Sequence, residues 1–497
     1  MPALKGPQNL AADMAGKDLP VTKVSHGGAT YPSWTADNHL NWALGPTLFS
    51  VDANDVMDED FESPKDGIDL SYIVQADKSS ENILLINARI ITMSDNDGGV
   101  IENGLIWIDG DRISKIGEMP ADVEDVMNLG DKLKVINLDG KTIVPGFIEA
   151  HYHGAQGTDD LIPQQNWRAL ATLALGVTTV FDPSNRASEI FAAGEMQRAG
   201  KLLAPRTYST GEVIYGAKAP GFFASIQNEE DAQEHVARLK NQGAHGVKNY
   251  NQPRRNQRQQ VVKASRDQDL IVAAEGGSLY HMDMSLIADG NTSLEHNLPV
   301  AAIYDDVVQM YSQTNVAYTP TLSVTYGGVR GENYYYQESE VWKHPILSKH
   351  VPPAALQARA VRRQMVPEED YADAASGAIS KELMEAGVLV SIGGHGQREG
   401  LASHWEMWSF ARGGMSPVQA LRTATTEPAK HLGFDKDIGS LEEGKLADLV
   451  ILSENPLDDI RNTDKVEHVM LGGRLYEAET MNEVHTGDAR RLPYWWE

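Results

Sequence analysis

Apolar residues fall into two rhythms along this 497-residue chain. In the first, short β-rich runs are broken by Asn, Asp and Gly: Ile83–Ile86, Ile90–Met93, Gly104–Ile108 and Val135–Leu138. The same texture returns at Gly444–Leu452 and Val466–Arg474, so both flanks are expected to build one small antiparallel β-sandwich around an insertion. The second rhythm fills the space between. Strand-like runs end near His151, Asp182, Thr210, Lys248, Ala274, His296, Pro320 and Ile392, and helical patterns such as Glu229–Asn241 and Ile303–Ser312 separate them. Eight alternating units predict an α/β fold, a (β/α)8 TIM barrel. A doubly wound open sheet is the structural alternative, but it lacks the Gly-rich phosphate loop that such sheets carry.

The expected division is residues 1–78 as an N-terminal extension, 79–143 with 438–485 as the composite sandwich, 144–437 as the barrel and 486–497 as a tail. Within the extension, Gly27–Asp37 and Leu40–Gly45 read as two short strands, and the acidic run from Asp52 to Glu62 as a solvated linker. No stretch approaches the roughly 18 apolar residues of a membrane span. Formal net charge is -27, which repels phosphate backbones and argues against nucleic-acid partners. There is no cysteine, so disulfides, thiolate ligands and a cysteine nucleophile are excluded. Any metal must sit among nitrogen and oxygen donors.

Donors of that kind recur where barrel enzymes place their chemistry, at the carboxyl ends of the strands. His151 and His153 stand two apart after the run Thr142–Glu149, and alternate positions on a strand share a face. Asp182, Lys248, Glu275, His296 and His395 mark later strand ends. Each also has an ordinary structural explanation. Asp182 begins Asp-Pro-Ser-Asn, which is turn chemistry; His296 alone would pass for a satisfied core histidine. His245, His281 and His404 read as structural, surface and packing residues. It is the clustering at several strand ends that favours a metal site.

Val144-Pro145-Gly146-Phe147-Ile148-Glu149-Ala150-His151-Tyr152-His153 resembles the opening of the amidohydrolase barrel. Leu421–Thr425, Pro428-Ala429, Leu432-Gly433 and Gly439–Val450 resemble its close, where the chain returns to the sandwich. The subgroup it looks most like is the imidazolonepropionase and prolidase-like enzymes, including those fused to TolB-like β-propellers; residues 27–45 resemble part of a propeller blade. A ragged extension packed on the main domain explains those residues equally well. The resemblance implies one or two divalent ions, usually zinc, and hydrolysis of amide or related bonds by an activated water. It implies His151 and His153 as first-strand ligands, His296 as the sixth-strand ligand, and Lys248 as the lysine that many members carbamylate to bridge two metals. Two positions depart from the pattern. Glu275 stands where the fifth-strand histidine is expected, and His395 where the eighth-strand aspartate is expected.

The reading that follows is a metal-dependent hydrolase of a C–N bond in a small or short peptide-like substrate. His395 is the expected proton acceptor, since imidazole titrates near working pH, and Glu275 either shares that work or is a ligand. Tyr334, Tyr335, Tyr336 and Trp342 lie in a long segment, Thr325 to Pro353, that reads either as a lid or as flank packing. Gln252, Arg254 and Arg255 offer a clamp for a substrate carboxylate. A lactonase or esterase on the same site, and a non-catalytic binding or scaffold module, are the alternatives. Relatives of this kind often form homo-oligomers. The N-terminus lacks the apolar core of a signal peptide, which points to the cytoplasm, or to the periplasm or exterior if a propeller precedes the chain.

Overall fold

The computed structural model describes residues 21–94, 98–120, 133–216, 224, 226–250 and 254–497. Its hinge is Gly146. The run read from sequence as one strand is two: Thr142–Pro145 joins one sheet and Phe147–Glu149 another. A Cβ at Gly146 would fall 2.1 Å from Thr178 Oγ1, so only glycine lets the chain pass between the two layers.

The first sheet has eight strands and is drawn from both flanks. Its order is Arg474–Glu477, Val466–Leu471, Leu449–Leu452, Thr142–Pro145, Asn82–Ile91, Val100–Asp109 and Arg112–Glu118, with Lys134–Asn137 paired to Asn82–Ile91 off this path. Leu449–Leu452 runs antiparallel to Thr142–Pro145, which ties the start of the inserted region to its finish. The expected all-antiparallel pairing needs correction. Asn82–Ile91 lies parallel to Lys134–Asn137 over its first half and parallel to Thr142–Ile143 over its second. Asn87, at φ 56°, sits at the register shift between the halves, so this one strand is kinked to serve two partners. Ile83, Leu85, Ile90, Ile106, Ile143, Leu449 and Ile451 pack on one face, while Leu84, Ile86 and Leu105 pack on the other.

Between the flanks the strands are parallel. Phe147–Glu149, Val177–Asp182 and Arg206–Ser209 form one sheet; Gly246–Tyr250, Ile271–Glu275, Ser293–Glu295 and Ala317–Thr319, fourth to seventh in the succession, form the next, with the two-residue Ile214–Tyr215 on its edge outside the numbering. Backbone hydrogen bonds carry the succession beyond these sheets. His245 N donates to Ser209 O at 2.9 Å, Tyr318 N to Leu389 O at 2.9 Å, and Ala150 N to Ile392 O at 3.1 Å. Residues 389–392 therefore lie between the seventh parallel strand and the first. Helices alternate with the strands: Trp167–Ala174, Ala187–Arg198, Glu229–Gln242, Arg255–Asp267, Tyr280–Ala288, Asp305–Thr314 and Asp373–Glu385. The architecture is α/β with several sheets, and the parallel succession matches the strand order expected of the barrel.

The N-terminal region holds more β-structure than its sequence pattern indicates. Thr30–Trp34, His39–Leu44, Thr47–Asp52 and Ile68–Asp69 form a four-stranded antiparallel sheet in chain order. It lies beside helix Glu229–Gln242, where Lys23 and His26 both approach Glu234, at 3.6 and 3.7 Å. Among the described residues no helix is long and apolar enough to cross a membrane.

Of the two readings of the long segment after the seventh strand, the packing one agrees with the structure: the segment carries helices Gly331–Glu338, Leu347–His350 and Pro353–Ala358. Tyr335 and Tyr336 are buried, Tyr335 stacks on Trp405 at 5.1 Å, and the Arg412 guanidinium lies 3.4 Å from the Tyr334 ring. These aromatics pack on helix Leu401–Arg412.

Candidate metal centre

Every donor singled out from the sequence lies at a carboxyl strand end, and the structure brings six of them together. His151 and His153 follow Phe147–Glu149, Lys248 lies within Gly246–Tyr250, and Glu275 closes Ile271–Glu275. His296 follows Ser293–Glu295, and His395 follows the eighth extended segment. His151 Nε2 and His153 Nε2 are 3.1 Å apart. His395 lies with its ring centre 4.5 Å from His153, 5.2 Å from His151 and 5.4 Å from His296. Glu275 bridges the other side: one carboxylate oxygen is 3.0 Å from His296 Nε2 and the other 2.6 Å from Lys248 Nζ. Two donor sets, His151/His153/His395 and His151/Glu275/His296, each have their ligand atoms within 4.8 Å of one another. The arrangement has a floor and a rim. His151, Lys248, Glu275 and His296 are buried, whereas His153 and His395 are part-exposed and face the opening.

What lies behind the imidazoles decides where they point. His151 Nδ1 is 2.7 Å from Glu295, His153 Nδ1 is 3.3 Å from Asp182, and His296 Nδ1 is 2.6 Å from Thr321 Oγ1. An oxygen acceptor at Nδ1 takes the ring proton there and leaves the Nε2 lone pair free. Thus His151, held from behind, is shared by two overlapping donor sets, one with His153 and His395 and one with Glu275 and His296. Burial and the neighbouring Lys248 ammonium and imidazoles push His151 well below the ordinary histidine range, and burial with the same imidazoles does so for His395. For Glu275, burial opposes ionisation, but the adjacent Lys248 and His296 hold it far below the usual carboxylate range. The set is imidazole nitrogen plus carboxylate oxygen, the donor chemistry of a borderline divalent ion.

A ring of buried carboxylates, whose roles the sequence pattern did not reveal, stabilises this shape. Glu149 accepts from Gly396 N at 3.2 Å and Ser403 Oγ at 2.7 Å, fixing the loop that carries His395; burial raises it to about 7. Glu295 accepts from Ser293 Oγ while facing His151, and burial raises it to about 8. Asp182 does what its turn motif predicts, accepting from Ser184 N at 3.0 Å and Asn185 Nδ2 at 2.8 Å, and holds His153 as well. One signal was available: Glu149, His151 and His153 occupy alternate positions of one motif.

Other candidates lie elsewhere. His245 Nε2 pairs with Leu432 O, His404 Nε2 with Leu175 O, and His281 is exposed. Arg255 is tied to Asp289 at 2.6 Å, which removes it as a substrate clamp; Arg254 is exposed, and Gln252 falls outside the described residues.

Against known proteins, the model of the amidohydrolase family matches residues 142–476. Ochratoxinase of Aspergillus niger is 29% identical over 223 residues, which span 44% of this chain and 40% of the relative. The chain thus aligns with less than half the length of that relative. A 5-methylthioadenosine/S-adenosylhomocysteine deaminase of Syntrophobacter fumaroxidans is 23% identical over 444 residues, covering 80% of this chain and 93% of the relative. Among solved structures, a protein described as a putative prolidase from Bifidobacterium longum shares the fold, with a TM-score of 0.61 at 21% identity over 83% of this chain and 97% of that one. Opening and closing motifs, parallel strand succession and donor cluster all fall inside the matched span, and the chain belongs to the amidohydrolase family.

Proposed function

We propose that this protein is a metal-dependent hydrolase that cleaves a C–N bond in an amide or short peptide-like substrate. The observation that carries the reading is the pair of donor sets, His151/His153/His395 and His151/Glu275/His296, that share His151 at the strand ends. Relatives named as an ochratoxinase and a deaminase, and folds named as prolidases, support the reaction class. The structural assignment that goes with it is a closed (β/α)8 barrel at 144–437, a composite β-sandwich from 79–143 and 438–485, an extension at 1–78 and a tail at 486–497.

His151, His153, His296, Glu275 and His395 would hold one or two divalent ions, with zinc the expected metal. Bound there, such an ion supplies Lewis acidity and lowers the pKa of a coordinated water to about 7. The rest of the chemistry falls to the protein. Glu275 has both oxygens engaged, by His296 and Lys248, so it serves as a fixed anionic donor rather than a mobile base. His395 is part-exposed: as a ligand it would complete the His151/His153/His395 set, and with its ring left free it would take a proton from the attacking water and return it to the leaving amine. Lys248 compensates the Glu275 charge at 2.6 Å, and carbamylation would turn it into an anionic oxygen donor.

Metal analysis of the purified protein, coupled to anomalous diffraction and a screen of dipeptides, N-acyl amino acids, esters and lactones, tests this. Stoichiometric metal on these residues and amide turnover that chelation abolishes are expected. Protein that binds no metal and turns over none of the panel would overturn the reading; turnover confined to esters or lactones would move the activity to that class.

A further inference from the structure

The seventh parallel strand ends at Thr319. Thr321 follows in the left-handed region, φ 49° and ψ 60°, before the short 3-10 turn Leu322–Val324. A β-branched residue is strained there because its Cβ crowds the carbonyl that follows, so the turn must be held from outside. Glu406 holds it. This fully buried carboxylate, on helix Leu401–Arg412, accepts Leu322 N–H at 2.9 Å and Ser323 N–H at 2.6 Å. The result sets Thr321 Oγ1 2.6 Å from His296 Nδ1. Room for this comes from the neighbouring strand end, where a Cβ at Gly393 would lie 2.8 Å from Thr321 Cγ2 and 2.9 Å from His151 Cβ.

We infer that Glu406 and Thr321 form a positioning relay that fixes the tautomer and direction of His296. Glu406 grips the backbone, the gripped backbone forces Thr321 into its strained conformation, and the Thr321 hydroxyl holds the Nδ1 proton of His296. Nε2 then offers its lone pair beside Glu275. Glu406 lies two contacts behind the centre and touches no reacting atom. The inference rests on the reading that the centre takes a divalent cation.

Cobalt(II) is the probe: its affinity for the metal-free protein is measured by chelator competition, and its visible spectrum reports the ligand geometry. Glu406→Gln places an amide N–H against a backbone N–H. Thr321→Val removes the hydroxyl at nearly constant volume, and Thr321→Ser retains it. The first two variants are expected to weaken cobalt affinity about 10- to 100-fold and to alter the spectrum. Thr321→Ser should hold the wild-type affinity and spectrum. A lowered melting temperature with unchanged affinity and spectrum in Thr321→Val would make the pair merely structural and overturn the relay. Wild-type protein that takes up no cobalt would instead overturn the metal reading beneath it.

Discussion

Two groups of inward-facing histidines occupy this molecule, and they are wired differently. His350 and His404 sit in the packed helical shell, and each bonds a backbone carbonyl, Ala478 O at 2.8 Å and Leu175 O at 2.9 Å. His151, His153 and His296 sit at the mouth and use Nδ1 on side-chain oxygens. A ring bonded to a carbonyl fastens two pieces of chain. A ring bonded behind and open in front is aimed. Burial is the same in most of these rings; a backbone carbonyl at Nε2 marks the fasteners, and nitrogens that gather with other donor atoms mark the mouth.

That contrast breaks first at the mouth. His151→Ala removes a donor common to both clusters, and turnover of an amide substrate identified in the panel should fall at least about a thousandfold, with metal content falling alongside. Measured per folded molecule, near-normal turnover would put His151 back among the structural histidines. His395→Asn keeps a polar side chain on the rim but no base; kcat should drop about 10²- to 10⁴-fold with KM nearly unchanged. Equal losses in kcat and in binding would make it a substrate contact instead.

The shell histidines should behave in the opposite way. His350→Leu orphans Ala478 O and the Tyr494 hydroxyl, which lies 2.7 Å from His350 Nδ1, and should cost about 2–4 kcal/mol in denaturant unfolding. Turnover per folded molecule should not change.

The smallest effect is in pH. Burial lowers His404 from 6.5 to about 4, so on acidification the unfolded chain takes up its proton first. The contribution of His404 to stability is complete above about pH 6.5 and declines to about pH 4, a loss of about 2 kcal/mol by pH 5. His404→Leu should lack this part of the acid slope. An unaltered slope between pH 7 and 5 would show that another group carries it.

Sequence periodicity revealed the parallel strands because each is a local apolar run, and it pointed to the clustered side chains because they occupy predictable strand ends. His151, His153, Lys248, Glu275, His296 and His395 were all legible in that way. Their supporting partners were not, since Glu295 is 144 residues from His151 and Glu406 is 84 from Leu322, and local pattern carries no distance information at that range. The segment 325–353 stays open in the sequence for a related reason. Its aromatic cluster Tyr334–Tyr336 suits a lid as well as flank packing, and only Trp405, far along the chain, decides between them. The antiparallel expectation for the flanking sheet failed at Asn87, where a single left-handed residue re-aims half a strand.

The pairing of Leu449–Leu452 with Thr142–Pro145 has a consequence for biosynthesis. A ribosome makes roughly 5–20 residues per second, so the earlier strand waits tens of seconds for its neighbour to emerge. Throughout that interval Ile143 and Val144 face no mate on one edge. Chaperone dependence, or slow release from the ribosome, should therefore track arrival of the 449–477 stretch, and arrest before it should leave a nascent chain prone to clump.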